Sequence, residues 1–131
     1  MSTLTKVLEK NVAEIEKDAN MTEGRFRLGH HLMPPVGWLN DPNGLCWYKG
    51  RYHVFFQYAP FDVEGGLKFW GHYTSEDMVD WKYEGTALYP DSPYDCHGVY
   101  SGSAFTEHGK MHLFFTGNVK IDGDYDYINE G

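Results

Sequence analysis

Seven consecutive residues carry the first chemical signal in this chain: Trp38-Leu39-Asn40-Asp41-Pro42-Asn43-Gly44. Asp first, Pro second and Gly fourth in Asp-Pro-Asn-Gly are the residues a type I turn favours, so part of the segment reads as a turn. The residues before it add an aromatic face and an amide beside a carboxylate, a set that suits recognition of a polyol at the start of a strand. Gln57 is a second candidate, the polar end of the aromatic run Tyr52-His53-Val54-Phe55-Phe56-Gln57-Tyr58. A buried amide needs a partner, which is either a ligand or neighbouring backbone. Ser101, followed by the small residues Gly102 and Ser103, is either a polar contact or a means of close packing. His53, His72 and His112 fall inside strand patterns and read as structural hydrogen-bonding groups. Cys96-His97, with His30 and His31 elsewhere, matches no common zinc spacing, and no metal is assigned.

The elements that must position these groups follow from periodicity. Between Leu4 and Asp18 the apolar residues Leu4, Leu8, Val12 and Ile15 recur at helical spacing among Lys and Glu, which predicts an amphipathic helix that packs on the rest of the protein. Beyond Asn20 the texture becomes short aromatic and β-branched runs separated by Gly, Pro, Asn and Asp, which signals all-β structure. Strands are expected near Gly44–Tyr48, Tyr52–Tyr58, Phe69–Ser75, Lys82–Leu88, Val99–Phe105 and Met111–Thr116. Hairpin turns are expected at Lys49-Gly50 and Glu107-His108-Gly109-Lys110.

Two hairpins resemble each other, Gly50-Arg51-Tyr52-His53-Val54-Phe55-Phe56-Gln57 and Gly109-Lys110-Met111-His112-Leu113-Phe114-Phe115-Thr116, at a spacing of 59 residues from His53 to His112. Self-similarity at a fixed period, about four strands to a unit, marks a β-propeller, with a duplicated hairpin in a sandwich as the alternative. The chain has room for about two such units, fewer than a closed ring needs, and Ile121 to Gly131 show no closing strand, so truncation is the simplest expectation.

Composition sets outer bounds. With 131 residues, 41% hydrophobic and 17% aromatic, the chain can bury a core. A formal net charge of -8 argues against nucleic acid or an anionic membrane as partner, while a local cation could still hold one phosphate. The N-terminus lacks a signal-peptide core and no stretch reaches membrane-span length, so a cytoplasmic protein with Cys46 and Cys96 as free thiols is expected.

The Trp38 to Gly44 segment resembles the nucleophile motif of glycoside hydrolase family 32, the invertases, fructanases and sucrose-6-phosphate hydrolases. The resemblance continues in order through Tyr52 to Tyr58, Trp70-Gly71-His72-Tyr73-Thr74-Ser75-Glu76-Asp77 with Trp81, Gly98-Val99-Tyr100-Ser101-Gly102-Ser103-Ala104 and Phe115-Thr116-Gly117-Asn118-Val119. It spans roughly Gly24 to Val119, which leaves residues 1–23 as the N-terminal helical segment expected from the apolar periodicity. Residues 24–131 would then be the first blades, about two, of a five-bladed β-propeller whose funnel holds the active site. The same resemblance implies retaining cleavage of sucrose, sucrose 6-phosphate or a related fructoside without a cofactor. Such cleavage passes through an oxocarbenium-like state, so one carboxylate traps the sugar while a second carboxyl group protonates the leaving oxygen. Asp41 takes the first role. Asn40 and Gln57 bind fructose hydroxyls, Tyr100 and Ser101 line the subsite, and Trp38 and Leu39 shape its wall.

Two departures from the family pattern stand out. Its Arg-Asp-Pro and Glu-Cys segments, which supply a stabilising Asp and the acid, do not occur, and neither Glu107 nor Glu130 is a credible substitute. The second lies in Phe61-Asp62-Val63-Glu64-Gly65-Gly66-Leu67-Lys68, where many invertases carry a Trp against the sugar. This loop resembles those of bacterial sucrose-6-phosphate hydrolases. The expected activity therefore belongs to a complete enzyme, the 131 residues alone being inactive; a non-catalytic sugar-binding propeller module is the alternative.

Overall fold

A computed structural model describes residues 2–21 and 30–120. Helix α1 (Thr3–Met21) precedes strands β1 (Trp38–Tyr48), β2 (Arg51–Ala59), β3 (Phe69–Ser75), β4 (Lys82–Leu88), β5 (Val99–Glu107) and β6 (Lys110–Gly117). The first four strands form one antiparallel sheet in the order β1-β2-β3-β4, and β5 and β6 form a separate antiparallel pair. The described residues thus hold one four-stranded unit and one hairpin, where the period led us to expect about two four-stranded units. The boundary expected at 23/24, the segment after Lys120 and Glu130 lie outside the described residues.

The aromatic run in β2 is buried on both faces, which places it at the centre of the molecule. Phe56 and Tyr58 join Phe69, Tyr73 and Val12 in one cluster, while Phe55 joins Trp70 and Val99 in another. Each such side chain contributes about 1.5–3 kcal/mol on burial. Helix α1 covers the first cluster and the β5–β6 hairpin covers the second. Ser2 starts the helix by accepting the Thr5 N–H at 3.0 Å, while its own N–H donates to Thr5 Oγ1 at 3.2 Å, a reciprocal cap with Thr where Glu is usual. The helix buries Val12 and packs Leu8 on the sheet, but Leu4, expected on that face, is 48% exposed. Thr5 takes the place of Leu4, buried and donating to Asp91. Further along, Glu16 Oε1 accepts the hydroxyls of Tyr58 at 3.0 Å and Tyr83 at 2.7 Å, pinning the helix to β2 and β4.

Strands β3 and β4 occupy the expected residues, whereas β1 begins six residues earlier than expected. Its first half contains the Asp-Pro-Asn-Gly segment, so that segment is not a type I turn. It is strand interrupted by two bulges: Asn40 faces Gln57 and Pro42 faces Phe56, leaving Asp41 unpaired, and the register shifts again between Asn43 and Cys46. Pro42 is tolerated because β1 is the sheet's edge strand and the bulge needs no N–H there.

The hairpin likeness read in the sequence extends to the backbone. In β5–β6, Tyr100 faces Thr116 and Gly102 faces Phe115, leaving Ser101 unpaired in the position that Asp41 holds in β1–β2. Both hairpins turn on two residues with positive φ, Lys49 and Gly50 (47° and 77°) and His108 and Gly109 (49° and 72°), the pattern that matches strand twist. The tight turns therefore lie at one end of the sheets. The long connections 60–68 and 89–98 lie at the other, beside Trp38, Asp41, Gln57 and Ser101.

Candidate active site

Asp41 owes its exposure to its backbone. As the extra residue of a bulge, at φ 42°, it turns its side chain out of the pleat; Asp is among the few residues that enter this left-handed region readily. Asn43 holds the bulge in shape, its Nδ2 donating to the Asp41 carbonyl at 2.9 Å from a buried position.

Two hydrogen bonds join the paired hairpins at this point. Gln57 Nε2 donates to Ser101 Oγ at 2.9 Å, and Ser101 Oγ donates to Asp41 Oδ2 at 3.1 Å. Gln57 is only 6% exposed, so its amide is a rigid anchor, while Asp41 at the other end of the line faces solvent. Asn40, directly opposite Gln57 in the ladder, is exposed on the same face. Tyr100 precedes Ser101, its carbonyl accepting the buried Trp70 Nε1–H at 3.1 Å. The arrangement is an oriented carboxylate with one oxygen occupied by the serine hydroxyl, the Asn40 amide next to it in sequence and the Gln57 amide behind the serine.

Of the residues expected at the site, Asp41, Gln57 and Ser101 form one hydrogen-bonded group with Asn40 and Tyr100 adjacent. Trp38 stands at the same end, its ring covered by Lys68 Nζ at 4.6 Å from the centroid. Leu39 is not brought to this group: it packs on the helix-side cluster with Tyr58, which it faces in the ladder. Two contributors had no role assigned from the sequence, Asn43 and Lys68. Asn43 sits two residues after Asp41, the spacing at which Asn side chains bond nearby backbone, and that signal was legible. Lys68 arrives through a loop fold that no local pattern announces.

The histidines divide. His53 Nε2 lies 3.1 Å from the Tyr48 carbonyl and so carries the proton; its Nδ1 accepts from His72 Nε2 at 2.9 Å. Burial, then the neighbouring His53, push the His72 pKa down to about 4, with Glu84 acting in opposition. The pair joins β2 to β3 away from Asp41. His112 is exposed on β6. His97 Nδ1 accepts the Lys120 N–H at 2.9 Å, a bond within the loop ends. Cys46 and Cys96 are free thiols, burial raising the pKa of Cys46.

Comparison with known proteins places this geometry. The chain is 52% identical to the sucrose-6-phosphate hydrolase of Bacillus subtilis over 108 residues, 82% of this chain and 22% of that protein. In structure it is similar to a sucrose-6-phosphate hydrolase from Lactobacillus gasseri, with TM-score 0.74 and 40% identity over 86% of this chain and 23% of the other. It is likewise similar to a β-fructofuranosidase of Bombyx mori solved as a mutant in complex with sucrose, with TM-score 0.79 and 35% identity over 90% and 25% of the two chains. The chain thus spans about a fifth of the length of the Bacillus relative. Residues 31–129 match the glycosyl hydrolases family 32 N-terminal domain, and with the site residues of β1, β2 and β5 lying inside that match, the chain belongs to glycosyl hydrolase family 32.

Proposed function

We propose that this chain supplies the nucleophile half of a β-fructofuranosidase that hydrolyses sucrose or sucrose 6-phosphate in the cytoplasm, on a five-bladed propeller of which the described sheets are the first parts. The observation that carries the reading is the line from Gln57 through Ser101 to Asp41. With Oδ2 held by the serine hydroxyl, Oδ1 is the oxygen that approaches the anomeric carbon. The bond from that carbon to the leaving oxygen breaks, an ester to Asp41 forms, and water then cleaves the ester with overall retention. Asn40 and Gln57 bind the fructose hydroxyls, and Trp38 and Tyr100 flank the ring. No cofactor enters this scheme.

The proton for the leaving oxygen must come from another carboxyl group, and none joins Asp41 among the described residues. General acid help is worth about 10² to 10⁴-fold, so the 131-residue chain alone does not turn over. The test is hexose release from sucrose and sucrose 6-phosphate over a long incubation, with Asp41→Asn as control. Activity that disappears in the control would show that a carboxyl group of this chain, or of a second copy, acts as acid. In the full-length enzyme, acid quenching during turnover should leave a fructosyl group on the Asp41 peptide. A sugar-binding module without catalysis is the second reading, favoured by Asp41 standing as the sole carboxylate in the hydrogen-bonded group among the described residues; sugar binding with no trapped ester would establish it.

A further inference from the structure

Asp41 and Ser101 are the unpaired residues of two bulges at the same ladder position, yet their backbones differ. Asp41 sits at φ 42°, while Ser101 is not among the residues with positive φ. A left-handed conformation is uphill for a residue with a Cβ. Pro42 steepens it, because a residue before proline is driven to extended backbone with φ near about −120°. Such a conformation persists only where its surroundings impose it.

The next rung of each ladder shows what imposes it. Asn43 faces Phe55 and Ser103 faces Phe114 in equivalent positions, but Ser103 is exposed and Asn43 is only 7% exposed. Asn43 Nδ2 donates to the Asp41 carbonyl at 2.9 Å. A carbonyl only accepts, which settles the orientation of the amide and turns its Oδ1 the other way. That Oδ1 is buried with no hydrogen-bond partner among the described residues. A buried orphan acceptor costs stability, so strengthening the fold does not account for an amide here. Its donor is committed to the peptide that follows the strained residue. The carboxylate is thus held from two sides, its backbone by Asn43 and its Oδ2 by Ser101 Oγ at 3.1 Å.

We infer that Asn43 is a positioning residue for the proposed nucleophile, its amide imposing the left-handed backbone that aims the Asp41 carboxylate. This rests on the role proposed above for Asp41. The test reads kcat, KM and the thermal midpoint of the full-length enzyme for Asn43→Leu, Asn43→Ser and Asp41→Asn. Leucine fills a similar space without a donor and removes the orphaned acceptor, while the Asp41 carbonyl, on an exposed residue, can turn to water. Asn43→Leu should therefore keep or raise the midpoint. It should lower kcat on sucrose or sucrose 6-phosphate by about 100-fold, the scale of a reacting group misplaced by about 1 Å, with KM changed less than about threefold. Asn43→Ser retains a donor and should keep more of kcat than Asn43→Leu, although packing alone ranks the two the other way. Unchanged kcat in Asn43→Leu overturns the assignment and leaves the nucleophile standing. A kcat that falls in step with the midpoint, or that ranks leucine above serine, overturns it too. Wild-type turnover in Asp41→Asn would overturn the nucleophile reading and this inference together.

Discussion

Ser101 has one proton to give, and the structure spends it on Asp41 while Gln57 occupies an acceptor position on the same oxygen. Ser101→Ala removes both bonds at once and leaves the buried Gln57 amide without that acceptor. We expect a loss of about 1–3 kcal/mol in stability, read as a lower urea midpoint, with Ser101→Thr recovering most of it; an unchanged midpoint would show that water replaces the hydroxyl without cost. His72 gives a second expectation. Its folded pKa of about 4 lies below the ordinary value of 6.5, so the unfolded chain takes up the proton first as pH falls. The stability contributed by neutral His72 is therefore complete above pH 6.5 and is lost progressively toward pH 4, by at most about 3 kcal/mol. His72→Gln should flatten that slope in urea titrations across the window. Asp41 has its own constraint: at φ 42° an alanine would add strain of about 1–2 kcal/mol, whereas asparagine tolerates the conformation. For this reason Asp41→Asn, and not Asp41→Ala, separates chemistry from folding.

At the scale of the element, the two hairpins place their extra residue in the same position of the ladder, and there the sheets meet. Gly102 makes the β5 bulge possible, since a Cβ at that position would stand 1.9 Å from the Phe114 carbonyl oxygen. Gly102→Ala must push β6 away or shift the bulge, and either movement carries Ser101 from Asp41. The expected result is a loss of fructoside turnover in the full-length enzyme larger than the loss of stability warrants, measured as kcat/KM beside the thermal midpoint; parallel small losses would show that β6 yields instead. The hairpins were legible because their aromatic runs and turn residues repeat, and β3 and β4 because Gly, Pro and Asp bound them. The start of β1 was not legible. Asp-Pro-Asn-Gly has the residues of a turn, and only pairing with β2 decides that they form two bulges in a strand. Gln57 and Ser101 could be suspected singly, but the bond between them spans 44 residues and depends on how two sheets approach, which no local pattern contains. Where Leu39 packs was not legible either, since the strand's alternation turns it toward Tyr58 and the helix-side cluster.

At the scale of the molecule, the β5–β6 hairpin buries one face and leaves the other open. Met111 and Leu113 pack toward Phe55, Trp70 and Val99, while Phe105 and Phe114 on the opposite face are 55% and 60% exposed. Paired apolar rings on an uncovered face promote association. The purified chain should sediment as oligomers whose size rises with concentration, and Phe114→Lys should shift it toward monomer; a monomer at every concentration would show that this face is covered in solution. The placement of the connections has a separate consequence. The turns at Lys49-Gly50 and His108-Gly109 fix the register of their hairpins, so a residue added there slips every side chain to the opposite face. The 60–68 and 89–98 connections carry no register of their own hairpins, and loop closure grows costly only slowly with length. The molecule therefore has a locked edge and a rewritable one. In the enzyme proposed above, insertions at the rewritable edge would change which leaving group is admitted while the ladder pairing within each hairpin is kept.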